Sequence, residues 1–344
     1  MEGKNVVRYR GAIWTLLLLS PVIAEILNGA TRLSTLFAFV PEVLTWGGGA
    51  LLCRELVRRW KAGWMSLAAL GLALAVAEEI VIQQTSLAPL PFPGANAAFG
   101  RWGGVNWVYF LFMLGYECVW VVLTPVKVTE LVFPQKANSA WLRRRGLIVM
   151  TVAFLVGCRM AWYAWTQRAV PMVFHIKAYV PTWGQLAAGW AAIAALIGLA
   201  WVLRGVGPKK VERKIVPWWA AGAMTAVASA VWFYLLGQNF QTHPQLTAAQ
   251  TVACEIALAV VMFALFAVWT GSTAWSARHE WAVCLGVVLA TVGMSSLELK
   301  SYSLADAVFK CVVDGLALMG MLWLGVRVWK RQRVAIPAVL TGSK

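Results

Sequence analysis

The sequence predicts an all-α, polytopic transmembrane helical bundle, and three observations carry that reading. Hydrophobic residues make up 60% of the chain and charged ones 13%, with a mean hydropathy of +0.70, which is too apolar for a soluble domain. Apolar runs near the roughly 20 residues that cross about 30 Å of hydrocarbon recur along the 344 residues, separated by charge clusters. The alternating pattern of a membrane β-barrel is missing, so the spans have to satisfy their backbones as helices.

Ten spans follow, at residues 12–29, 36–53, 63–87, 105–126, 147–167, 182–203, 217–236, 248–270, 281–298 and 304–326. The first has a basic head and an apolar run, as a signal peptide does, but Pro21 and Glu25 interrupt it and it reads as an uncleaved helix. The second places Pro41 directly before Glu42, then Gly47, Gly48 and Gly49, small residues that let another helix approach. The third holds AVAEEIVIQQTS (75–86), the fourth carries Glu117 near mid-depth, and the fifth has Arg159 at its middle. The tenth spaces Asp306, Lys310 and Asp314 by four residues, a set that can neutralise itself along one face. The chain forms a single integral membrane domain. Its spans divide into two five-helix sets, 12–167 and 182–326, which would make the second an inverted copy of the first, although no sequence repeat links them. The loop Ala88–Gly104, with Pro89, Pro91 and Pro93, reads as an ordered cap or a mobile flap.

The net charge of +16 is explained by where the 30 Lys and Arg residues fall. With the N-terminus inside, 22 lie in or beside cytoplasmic segments, five outside, and three (Lys127, Arg159, Lys310) within spans. This asymmetry predicts both termini in the cytoplasm of a bacterial inner-membrane protein, with membrane lipids as its surroundings. The charge is topological, and no nucleic-acid partner is expected. The six cysteines lie in or at the edges of spans without a CxxC pair, so they read as small buried apolar residues. His175, His243 and His279 fall in loops without ligand spacing, so no metal or other cofactor is expected, and no GxSxG, P-loop, HExxH or dinucleotide fingerprint is present. Many of the 21 tryptophans sit near helix ends as an interfacial belt, while Trp120, Trp162, Trp165 and Trp232 lie deeper, where they would line a cavity or pack helices.

The functional signal is in the acidic residues. Nine of the 14, Glu25, Glu42, Glu78, Glu79, Glu117, Glu255, Glu298, Asp306 and Asp314, fall near the midplane or in the outer half of the membrane. A carboxylate facing lipid at the bilayer centre costs about 2.5–3.5 kcal/mol, so these groups should face one another, a cation or water, most simply in one outward cavity. On a helical third span Glu79, Gln83 and Ser86 share a face and Glu78 lies about 100° away, which predicts that Glu79 faces the cavity more than Glu78. Glu117 should join it from the fourth span, with Asn106 close to its stripe, and Arg159 should pair with one of the glutamates. The candidate cavity is therefore Glu78, Glu79, Gln83, Asn106, Glu117 and Arg159. Pro21 and Pro41 beside Glu25 and Glu42 suggest broken helices of the kind that coordinate ions at mid-membrane, or simple packing kinks.

The segments GGGALLCREL (47–56), AEEIVIQQ (77–84), GVNW (104–107) and TPVKVTELVFP (124–134) together resemble an uncharacterised family of bacterial multi-pass membrane proteins over about the first 150 residues; that family implies no established activity. Glu78 and Glu79 also resemble the start of the EExxxR signature of CAAX-processing, bacteriocin-protection intramembrane endopeptidases, with Gln83 where the arginine belongs, Leu114 where FxxxH requires histidine, and no histidine in a span. That resemblance implies Glu78 or Glu79 as the base activating a water. Two function classes stay open. One is a transporter or permease with an outward carboxylate cavity for a cation, proton or cationic solute. The other is an intramembrane glutamate-dependent enzyme acting on a peptide or lipid substrate.

Overall fold

The computed structural model of the protein describes residues 3–89, 98–206, 210–241 and 243–340, with side chains between residues 9 and 333. Ten helices are long and apolar enough to cross a membrane: α1 Tyr9–Ile26, α2 Leu33–Arg59, α3 Trp64–Ile82, α4 Trp107–Val132, α5 Arg144–Val173, α6 Trp183–Gly205, α7 Trp218–Phe240, α8 Ala248–Thr270, α9 Ala277–Ser296 and α10 Leu304–Arg333. The expected all-α bundle of ten apolar helices is present. One hairpin of two-residue strands, β1 Arg101–Trp102 and β2 Val105–Asn106, is the sole sheet among the described residues. Its Gly103–Gly104 turn takes φ of 60° and 80°, which glycine adopts freely and the tightest hairpin turns require. Part of the expected cap or flap over Ala88–Gly104, residues 90–97, lies outside the described residues.

α3 forms the axis of the bundle: 78% of its most apolar window is buried, against 11% for α5 and α8. It packs on α4 and α6, while α1, α2 and α9 complete the core and α5, α6, α8 and α10 form the outer wall. α7 also lies close against α9, where a Cβ on Gly286 would overlap the Gly222 carbonyl and one on Gly222 would lie 2.8 Å from the Ala282 carbonyl. Small residues serve this purpose where lipid gives no hydrophobic drive for helices to associate.

Several spans depart from regular α geometry, and prolines account for most of these places. Pro21, Pro41 and Pro125 each withhold an N–H from the carbonyl four residues earlier. Wider i→i+5 turns occupy Val22–Ile26, Val43–Gly47 and Glu117–Leu123 beside them. One freed carbonyl gains a side-chain donor and another is packed against a glycine. Ser20 Oγ donates to the Val121 carbonyl at 2.8 Å, and Gly47 presses against the Leu17 carbonyl. A further wide turn, Ala77–Ile82, closes α3 without a proline, and the chain then reverses at Gln84, whose φ is +61°. α3 therefore stops at Ile82, five residues short of the expected end. The face shared by Glu79, Gln83 and Ser86 on a continuing helix does not exist.

Candidate functional site

The acidic residues sort by helix end. Glu25 closes α1, Glu42 lies in the first third of α2, Glu78 and Glu79 close α3, and Glu117 is ten residues into α4. Alternating helix direction brings all five to the same end of the bundle. Each sits in a wide helical turn or directly at its edge, a distortion that re-aims side chains and recurs at functional sites.

Glu78 and Glu117 are in side-chain contact with each other, with Glu79 close to both. Glu25 lies within electrostatic reach of Glu42, Glu78 and Glu117, and Glu42 of Glu78. Glu78, Glu79 and Glu117 are 2%, 0% and 0% exposed, so in this conformation these three are shut from water rather than lining an open cavity, while Glu25 is half-buried. The few donors are uncharged. Thr85 and Ser86 give hydroxyl hydrogen bonds to Glu79 Oε2 at 2.9 and 2.6 Å, Thr31 gives one to Glu42 Oε1, and the Trp46 indole donates to Glu78. Both oxygens of Glu117, and one each of Glu42, Glu78 and Glu79, meet no donor. None of the five forms an ion pair among the described residues. Two carboxyl groups in contact, with no donor between them, need a proton or a cation there.

The α4 side is closed by a stack of rings, Phe112–Tyr116 at 5.5 Å and Tyr116–Trp120 at 5.0 Å between centroids. The Tyr116 hydroxyl donates to the Ala24 carbonyl, tying the stack to the turn that carries Glu25. Trp120 donates to Thr291 Oγ1 at 2.6 Å and Trp232 to the Phe112 carbonyl at 3.1 Å, so both pack helices. Trp162 lies instead beside Arg159 on α5.

Of the six candidate residues, the structure brings together Glu78, Glu79 and Glu117. Glu78, rather than Glu79, touches Glu117, because the turn after Ile82 folds Thr85 and Ser86 back over Glu79. Gln83 is half-buried at the end of α3, and its backbone N–H closes the wide turn onto the Glu78 carbonyl at 2.8 Å. Asn106 is buried but plays a positioning part: its Oδ1 accepts from Tyr109 N at 3.1 Å to cap α4, and its Nδ2 reaches Asn239 at 3.2 Å. Its backbone N–H donates to the Ser86 carbonyl at 2.9 Å, fastening β2 to the turn that serves Glu79. Arg101 supports the same junction through the Leu87, Ala88 and Gly104 carbonyls, and partial burial lowers its pKa from the usual arginine value.

Arg159 has to be corrected. It lies on the exposed face of α5 with its guanidinium 4.1 Å from the Trp162 ring centroid, and it forms no ion pair among the described residues. The reason is packing: α5 meets α2 through Met150, Phe154 and Gly157, the last with its Cβ position 2.6 Å from Leu44, and Arg159 two residues on points away. Nor do all nine acids share one site. Glu298 is exposed beyond α9, Glu255 is buried alone on α8, and Lys310 pairs with Asp314 at 2.5 Å. Asp306 accepts instead from Ser34 N and Oγ and from Ser303 Oγ. Glu25, Glu42 and Thr31 belong with the cluster, and the proline beside each of those two acids was the sequence signal for them.

The opposite end of the bundle shows what a balanced buried charge looks like here. Arg54, fully buried, reaches Glu130 at 3.1 Å and Glu55 at 3.3 Å, donates to the Lys136, Ala137 and Ser139 carbonyls, and stacks 3.3 Å over Trp141. Glu55 also accepts from the Trp141 and Leu142 N–H groups at 2.7 and 3.1 Å. Sequence reasoning counted these residues as cytoplasmic flanks. They form a satisfied lock that holds the α4–α5 connection against α2.

Among the described residues no three His, Cys, Asp or Glu side chains are grouped to hold a metal ion. No family model, curated protein or solved structure matches this chain.

Proposed function

We propose that the protein is a transporter or permease of the bacterial inner membrane, with both termini cytoplasmic, whose glutamate cluster binds and releases a proton or small cation. The observation that carries this reading is the contrast between the two ends. Arg54 is met by two carboxylates and three carbonyls, whereas five glutamates converge with uncharged donors and, among the described residues, no ion pair. A purely structural cluster would be balanced from within, so a mobile positive charge is the simplest complement. The proline-linked wide turns support it, because they leave helices already broken at the depth where a carrier has to change shape. The distribution of Lys and Arg supports the orientation. Hydrolysis by Glu78 or Glu79 is less supported, since among the described residues no histidine bonds to the cluster: His279 is bonded to Ser276 and Val216, and His175 lies beyond α5.

Infrared difference spectroscopy on the reconstituted protein tests this. Exchanging sodium, potassium or lithium buffers, or stepping the pH, should change the carboxylic C=O band in the wild type and change it less in Glu117→Gln. Identical spectra for the two proteins under every exchange would end the reading.

A further inference from the structure

At the basic end of the bundle, α9 and α10 frame an open cavity of about 350 Å³ that belongs to none of the features above. Its back wall is aromatic. Trp281 lies against the α10 backbone at Gly325, where an added Cβ would come 2.7 Å from the ring, and donates to the Met321 carbonyl at 2.8 Å. Trp329 stands edge-on to it at 4.9 Å and edge-on to Trp218 of α7 at 4.9 Å, so three indoles fix the wall. The floor is Leu322 and Val326, 60% and 54% exposed, continued along α10 by the equally open Leu316 and Met319. The rim is basic: Lys330 and Arg333 line the mouth, and the Arg278 guanidinium stands 5.3 Å from the Trp329 ring with its buried Nε lacking an acceptor.

None of these three cations forms an ion pair among the described residues, and the nearby Glu280 is taken by Lys127 at 3.1 Å. We infer that the cavity is a binding site for an anionic glycerophospholipid, its phosphate on Lys330, Arg333 and Arg278 and its acyl chain along the apolar stripe of α10. The charge complement decides the occupant. An apolar groove alone would suit any lipid, but three unpaired cations at one end of an exposed aliphatic stripe match an anionic headgroup joined to a chain. Trp281 and Trp329 add rings of the kind that sit at headgroup depth. The inference is independent of the transport reading, since the cavity shares no residue with the glutamates.

Native mass spectrometry of the full-length protein tests it, in neutral detergent titrated with phosphatidylglycerol or with phosphatidylcholine of the same acyl chains. The wild type should retain phosphatidylglycerol preferentially. The Lys330→Ala/Arg333→Ala double variant should bind it about 25-fold more weakly, at about five-fold per basic residue. Arg144→Ala/Arg145→Ala, which removes two exposed cations from the start of α5, should bind it as the wild type does and so controls for net charge. The inference is overturned if both double variants lose affinity equally, if Lys330→Ala/Arg333→Ala keeps wild-type binding, or if phosphatidylcholine is held as well as phosphatidylglycerol.

Discussion

Replacing Glu117 by glutamine keeps the size of a fully buried side chain and removes one of two carboxyl groups in contact. The magnitude follows from its surroundings. Neither oxygen of Glu117 meets a donor, and an unsatisfied buried polar group costs about 1–3 kcal/mol. Two full charges about 4 Å apart in an effective dielectric of about 20 would repel by about 4 kcal/mol, a repulsion that the proton or cation between them removes. Glutamine offers Glu78 an N–H in place of that partner, so folding loses little and regains part of the unmade hydrogen bonding. The expected outcome is unchanged stability or a gain of up to about 2 kcal/mol, a rise of a few degrees at most in the unfolding midpoint. Tryptophan fluorescence during heating in detergent reads this, the chain having 21 indoles. The same sample should show a smaller infrared response to cation exchange than the wild type. A loss of more than about 2 kcal/mol, approaching that for cutting a buried ion pair, would refute the reasoning by showing that Glu117 is a charged and paired structural residue.

At the other end of the bundle the sign reverses: Arg54→Gln takes a charged donor from three carbonyls and unbalances Glu55 and Glu130, and should destabilise by about 3–5 kcal/mol in the same thermal assay. Asp314→Asn leaves Lys310, only 2% exposed, without its sole ion-pair partner among the described residues, and should lower the unfolding midpoint where the exposed Glu298→Gln does not. Gly286→Val forces α7 from α9 at the Gly222 carbonyl; a sharp fall in yield of folded protein is expected, and a normal yield would show that this contact is dispensable. Reporter enzymes fused after residue 344 should be active only when they are of the type that works in the cytoplasm, and activity from a strictly periplasmic reporter would overturn the orientation.

Composition and the spacing of apolar runs were enough to read ten helices from the sequence, because a lipid-facing backbone has few ways to satisfy its hydrogen bonds. The presence of buried acids was legible for a similar reason, since carboxylates inside apolar runs are too costly to face lipid. Which acids meet was not legible. Pairing depends on where each helix ends and which face it buries, and α3 ends at Ile82 because Gln84 takes a left-handed conformation that a helical projection through Ser86 does not contain. That reversal gives Glu79 the two hydroxyls and leaves Glu78 for Glu117. Arg159 failed as a partner on the same principle: periodicity located it at mid-span, but the approach of Gly157 to Leu44 turned it outward. The Arg54 lock was invisible for a different reason, since its donors and acceptors are largely backbone groups of the 136–142 connection. The sequence by itself determined that carboxylates lie among apolar helices. The tertiary structure decided which of them meet without a counter-charge, because helix ends and faces set which side chains come into contact, and spacing along a single helix does not record them.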